Sequence, residues 1–207
     1  MINEKTGDNA INIVPGAAGS LTNKDIDKNI NFIENSEIFL TQLETPYEVT
    51  SYALQKAKET GSITIFNPAP ASNINESDFK YMDYFTPNET EASFYLKKNV
   101  ESKTEIEEAA KNFLNKGVKN IIITLGSKGV YFASSSESYF LDAFNLKDEV
   151  IDTTGAGDAF NGAFAYALSK NHKDKDALEF ANKVAGISTT RVGAANAMPK
   201  LKEVEDY

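Results

Sequence analysis

The chain has 207 residues, 41% of them hydrophobic and 25% charged, with a net charge of −9 and no cysteine. That length suits one large globular domain or two small ones, and no window approaches the ~18 uninterrupted apolar residues of a membrane span. Lack of cysteine excludes disulfides, thiolate nucleophiles and cysteine-based zinc sites; the acidic balance disfavours nucleic acid and anionic lipid as partners; and an N-terminus without a basic-then-apolar segment is not a secretory signal, so the cytoplasm is the expected compartment.

Apolar and β-branched runs alternate with helical spacing along the chain. Ile11–Val14 reads as a strand, Lys24–Asn35 as a helix and Ile38–Leu43 as a second strand. Pro46–Thr60 carries proline in its first turn, where a missing N–H costs nothing, and Ile63–Phe66 and Tyr84–Thr86 are short strands. Lys103–Lys116 is the clearest amphipathic helix: Ile106, Ala109, Ala110, Phe113 and Leu114 share one face before Gly117 ends it. Strands follow at Asn120–Leu125, Val130–Phe132 and Glu149–Ile151, then helices at Ala156–Lys170 and Lys175–Thr190. Continuous apolar strands such as "NIIITL" predict a sheet buried on both faces. The order predicts a three-layer α/β/α fold with a mostly parallel central sheet, in a single domain over residues 1–207.

Ligands in such folds gather beyond the carboxyl ends of the strands. The junctions there are "QLETP", "NPAPAS", "TPNETEA", "TLGSKG" and "DTTGAGDAFNG". In the last, Gly155 and Gly157 permit a sharp turn with no Cβ in the way, and the helix that follows points unpaired amides outward at the positive end of its dipole. That arrangement suits an anion, and Asp158 in the same turn is placed to act as a base on an attacking hydroxyl. Asp158 reads alternatively as a simple helix cap or a charge set against the dipole. A dinucleotide fingerprint is disfavoured because Phe160 stands where its third glycine belongs, and no Walker pattern occurs. His172, the single histidine, lies in the polar run "SKNHKDKD", which leaves a histidine triad unsupported.

The stretch "DTTGAGDAFNGAFAYAL" resembles the C-terminal signature of the ribokinase-like (PfkB) carbohydrate kinases. "VPGAAGSLT", "QLETP", "NPAPAS", "TPNETEA", "ITLGSKGVYF" and "TTRVGAANAMP" extend the resemblance over essentially the whole chain. It implies transfer of the ATP γ-phosphate to the primary hydroxyl of ribose. Asp158 then matches the base, Gly155, Ala156 and Gly157 the anion hole, and Asn88 and Glu91 the Asn-x-x-Glu motif that organises Mg²⁺ and phosphate partly through water. The resemblance places the nucleotide against Thr124, Gly126, Gly129 and Asn182, and a sugar contact on Glu44. Asp152, Thr154, Ser188, Arg191 and Gly193 match a K⁺ site, with Ala197 where a hydroxyl is common. Fructose, nucleoside and pseudouridine kinases of the family share the aspartate turn and stand as alternatives.

Family members normally begin with roughly a hundred further residues, including an Asn-x-Asp sugar contact, a Gly-Gly-Lys-Gly-Ala-Asn turn and most of a β lid. Met1–Val14 is similar to the last part of that lid. The chain is accordingly expected to be weakly active or inactive alone, and an ATP-binding fragment or subunit is the competing reading. A homodimer is implied only for an intact protein.

Overall fold

The structure, a computed structural model, describes residues 14–146 and 148–207. The strand expected at Ile11–Val14 and the lid remnant over Met1–Val14 therefore lie outside the described residues, Val14 apart. The chain forms two compact units, 14–126 with 130–140, and 127–129 with 141–207.

In the first unit, β1 (Ile38–Thr41), β2 (Ile63–Phe66), β3 (Tyr84–Phe85) and β4 (Asn120–Thr124) run parallel in chain order, and β5 (Val130–Ser134) pairs antiparallel with β4. β6 (Ser138–Leu141) completes a six-stranded sheet of order β1-β2-β3-β4-β5-β6. The mostly parallel α/β order is thus as expected. Sequential parallel strands joined by right-handed crossovers lay their connections on one face. Those connections are α3 (Tyr47–Glu59), a 3₁₀ turn at Glu76–Tyr81, α4 (Glu89–Leu96) and α5 (Lys103–Asn115). Their apolar sides meet Phe66, Phe85, Ile121 and Ile123 of the sheet in one core. Phe85 is its centre, 5.0 Å from Phe113 and 5.4 Å from Phe79 between ring centroids, both edge to face. Ile121, Ile122 and Ile123 are all 0% exposed, so β4 is buried on both faces, as its unbroken apolar run requires.

The helix expected at Lys24–Asn35 is two short helices, α1 (Asn23–Lys28) and α2 (Ile30–Glu34). Asn29 breaks the run: its backbone leaves helical geometry (φ −114°, ψ 14°) and its amide side chain donates to the Asp25 carbonyl at 2.8 Å, replacing helix continuation with a local turn.

The second unit is built on a helix hairpin, α6 (Ala156–Ser169) and α7 (Asp174–Ser188), followed by α8 (Leu201–Asp206). Ala159, Ala163, Ala167, Ala177 and Ala181 are buried, and small side chains allow the close approach of the two axes. Glu149–Ile151, expected as a strand, is not one. Its Ile151 amide and the next one, of Asp152, both donate to the Thr189 carbonyl, at 2.8 and 3.1 Å, instead of to a neighbouring strand. Val150 and Ile151 are correspondingly 42% and 48% exposed. No described helix is long and apolar enough to cross a membrane.

Candidate active site

The residues singled out from the sequence fall into two groups, one in each unit. In the first, they cluster at the carboxyl ends of the parallel strands. Glu44, just beyond β1, is exposed. Asn67 of "NPAPAS" donates from its side chain to the Thr86 carbonyl at 2.9 Å, tying the ends of β2 and β3 together. Asn88 caps α4: its side chain accepts from the Glu91 amide, and Glu91 Oε2 accepts from the Asn88 amide, each at 2.8 Å. This reciprocal cap is what the Asn-x-x-Glu spacing makes in a helix start. Glu91 is buried, and burial pushes its carboxyl up against the opposing pull of the Asn88 amide. Thr124 is drawn to the same place, since its amide donates to the Pro87 carbonyl at 2.9 Å and it forms a parallel bridge with Asn88. Gly126 follows with φ +56°, a conformation glycine adopts without strain.

In the second unit the central feature is the start of α6. Gly155, its N-cap, has φ +78° and no side chain to cap the helix. Asp158 stands exposed in the first turn, and open space surrounds the position a Gly157 Cβ would take. Of the three amides expected to form an anion hole, that of Ala156 already donates to the Thr153 carbonyl at 3.2 Å. Asp158 is thus accessible to a reacting hydroxyl, and the peptide at Gly157 can be approached closely.

Asp152 is 1% exposed. Its Oδ1 accepts from the Thr154 amide at 2.9 Å and its Oδ2 from the Gly193 amide at 2.8 Å. The Thr154 hydroxyl, the Gly193 amide and the Thr154 amide hold its carboxyl below the usual carboxylate value. Asp152, Thr154 and Gly193 are therefore brought together. Arg191 lies in the same turn but aims its guanidinium at Glu203, and Ser188 is buried with its hydroxyl donating to the Ala185 carbonyl at 2.7 Å. Ala197 is fully buried and offers no hydroxyl. Among the described residues no group of three or more His, Asp or Glu side chains is arranged to hold a metal ion.

Gly129, with φ +94°, passes so close to the end of β6 that a Cβ there would meet the Leu141 carbonyl oxygen at 2.0 Å. Asn182, on α7, donates to the Asp142 carbonyl at 3.2 Å, so its amide braces this same segment. Glu203, which holds Arg191, was not singled out from the sequence. Its signal is its place as the third residue of a helix whose N-cap is Lys200, the capping-box position, right after "AMP".

The family model described as "pfkB family carbohydrate kinase" matches residues 1–201. A curated relative named ribokinase from Staphylococcus aureus is 36% identical over 96% of this chain and 65% of its own length. The structure of a ribokinase from Thermotoga maritima superposes with TM-score 0.84 at 43% identity, over 98% of this chain and 66% of that one. An Arabidopsis thaliana ribokinase complexed with ribose and ATP superposes with TM-score 0.83 at 29% identity, over 87% of this chain and 58% of that one. The chain spans just under two thirds of the length of curated relatives that it matches.

Proposed function

The chain belongs to the pfkB family of carbohydrate kinases, and on that footing we propose that it transfers the γ-phosphate of ATP to the primary hydroxyl of D-ribose, giving ribose 5-phosphate. The observation that carries this reading is the exposed Asp158 carboxylate in the first turn of α6, directly after an N-cap that has no side chain. In the proposed step Asp158 takes the hydroxyl proton as the sugar oxygen attacks the γ-phosphorus. The bond to the β–γ bridging oxygen then breaks and ADP leaves. Charge developing on the transferred group is stabilised by the positive end of α6 and by the Gly157 amide.

Asn88 and Glu91 are the residues we assign to Mg²⁺ and phosphate. A single buried carboxylate with one oxygen engaged by the cap suits a hydrated ion that arrives with ATP, whose chemistry is to neutralise phosphate charge. Thr124, Gly126, Gly129 and Asn182 are assigned to the nucleotide and Glu44 to the sugar. Asp152 with Thr154, Ser188, Arg191 and Gly193, several of them through backbone carbonyls, is the proposed K⁺ site. The fit rests on Asp152: it is a buried carboxylate held ionised, and its hydrogen-bond partners are all neutral.

A sugar panel with ATP and Mg²⁺ tests the reading on the full protein, with and without K⁺, ADP release being followed. Ribose is expected to be preferred over 2-deoxyribose, fructose and nucleosides, with release abolished by Asp158→Asn. Ribose-dependent release that survives Asp158→Asn refutes the assignment of the base. Preference for a nucleoside or for fructose refutes the substrate.

A further inference from the structure

Glu203 holds two groups at once. Its Oε2 accepts from the Lys200 amide at 2.8 Å, closing the start of α8, and its Oε1 accepts from Arg191 Nη2 at 2.6 Å. The carboxyl lies below its usual value, through the Lys200 amide first and Arg191 second. Arg191 belongs to the turn between α7 and Gly193. That turn is pinned at its start by the Thr189 carbonyl, which accepts from the Ile151 and Asp152 amides, and at its end by the Gly193 amide, which donates to Asp152 Oδ2. The Arg191–Glu203 pair supplies the third fixed point. Beyond Gly193 the chain lies directly against the start of α6: a Cβ on Gly155 would stand 3.1 Å from Ala194 Cβ and 3.4 Å from Met198 Cε. Displacement of the turn therefore reaches Gly155 by two routes, through Asp152 and Thr154 and through Ala194.

The side chains of the pair are 37% and 42% exposed, and exposed pairs add little to stability. What the pair does supply is a single bond from Arg191 Nη2 to Glu203 Oε1 that ties the turn to the start of α8. We infer that Glu203 is a positioning residue for phosphoryl transfer, acting through Arg191 on the Asp152–Gly193 turn and so on the Gly155 bend that precedes Asp158. The inference rests on the function proposed above for that bend.

The test compares wild type, Glu203→Ala, Arg191→Met, their double mutant and Arg191→Lys in the full protein, with two readouts. The first is the amide resonances of Gly155, Gly157 and Gly193 in ¹H–¹⁵N spectra. They are expected to move in both single mutants, and in the double mutant to move no further than in Glu203→Ala, where the Arg191–Glu203 link is already cut. The second is ribose-dependent ADP release, in which kcat is expected to fall roughly tenfold with KM for ATP and ribose held within about twofold, a loss of alignment and not of binding. Arg191→Lys, which keeps the charge, is expected to recover most of the loss. Glycine amides that stay in place in Glu203→Ala, or that move while kcat does not, overturn the inference and leave Glu203 as a tether of α8. If Glu203→Ala fails to fold, Arg191→Met, which leaves the α8 cap intact, carries the same decision. If wild type does not phosphorylate ribose, the proposed function falls, and the amide shifts alone decide whether Glu203 sets the turn.

Discussion

The side chain of Asn88 accepts from the amide of Glu91 while the carboxylate of Glu91 accepts from the amide of Asn88, both at 2.8 Å. The motif assigned to Mg²⁺ and phosphate is therefore also the start of α4, and its two roles separate by substitution. Asn88→Ala is expected to lose about 1 kcal/mol of stability, the ordinary cost of an N-cap, in urea unfolding. Glu91→Gln keeps an oxygen for the Asn88 amide and removes only charge, so it is expected to fold as well as wild type while weakening Mg²⁺-dependent ATP turnover. Equal stability losses in the two variants would contradict this division.

Asp158→Asn removes the proposed base from an exposed position in the first turn of α6. A positioned base contributes ~10²–10⁴-fold, so kcat is expected to fall by that order. The lost interaction with the helix dipole costs only about 0.3–1 kcal/mol. Thermal unfolding beside steady-state kinetics distinguishes this from a general loss of fold.

Two glycines predict opposite outcomes. Gly129→Ala forces a Cβ within 2.0 Å of the Leu141 carbonyl oxygen at φ +94°, and is expected to cost at least about 2 kcal/mol. Gly157→Ala adds a methyl in open space inside a helix, which by propensity stabilises by up to about 1 kcal/mol. It is expected to keep or raise the melting temperature while lowering kcat, because the methyl occupies the approach of the phosphoryl group. A Gly157→Ala protein with full activity would show that phosphate does not come near that peptide.

Asp83 is a buried carboxyl through which acid is expected to destabilise the first unit. Burial alone raises its carboxyl, but Lys58 at 2.6 Å, the Thr64 amide at 3.1 Å and Lys119 at 3.6 Å outweigh it and leave the group below its ordinary 3.8. A carboxyl lowered by folding adds stability above its unfolded value, and that contribution drains away as the pH falls through the folded value. Unfolding free energy is thus expected to drop below about pH 4 in wild type. Asp83→Asn is expected to lose about 2 kcal/mol at neutral pH and to show a shallower acid limb. Parallel pH profiles for the two proteins would exclude Asp83 as the cause.

How far the sequence could be read depended on whether local pattern and tertiary demand agreed. β4 and α5 were plain because Ile121, Ile122 and Ile123 form an unbroken buried apolar run and Ile106, Ala109, Ala110 and Phe113 recur at helical spacing, as the core requires. Glu149–Ile151 has strand composition too, yet its backbone partner is the last carbonyl before the Arg191 turn, a long-range fact no window reveals. β6 was missed because its residues, Ser138 to Leu141, are only partly buried and follow a serine-rich turn that reads as loop. In the proposed site, Asp158 was singled out from the Gly155–Gly157 turn itself, and Asp152 and the Asn88–Glu91 pair only through the family resemblance. Glu203 was not, since its partner Arg191 belongs to a different turn, and only folding shows that they meet.

Helices α4 and α5 are each sealed at the front by a side chain of their own, Asn88 and Ser102, whereas α6 opens on Gly155 and receives none. If an anion docks there, as the proposed function requires, it completes the helix, and its occupancy and the melting temperature are then coupled by mass action. A thermal-shift titration with ATP reads occupancy of the whole proposed nucleotide site, the α6 start included, and it remains readable in Asp158→Asn, where turnover no longer consumes the ligand.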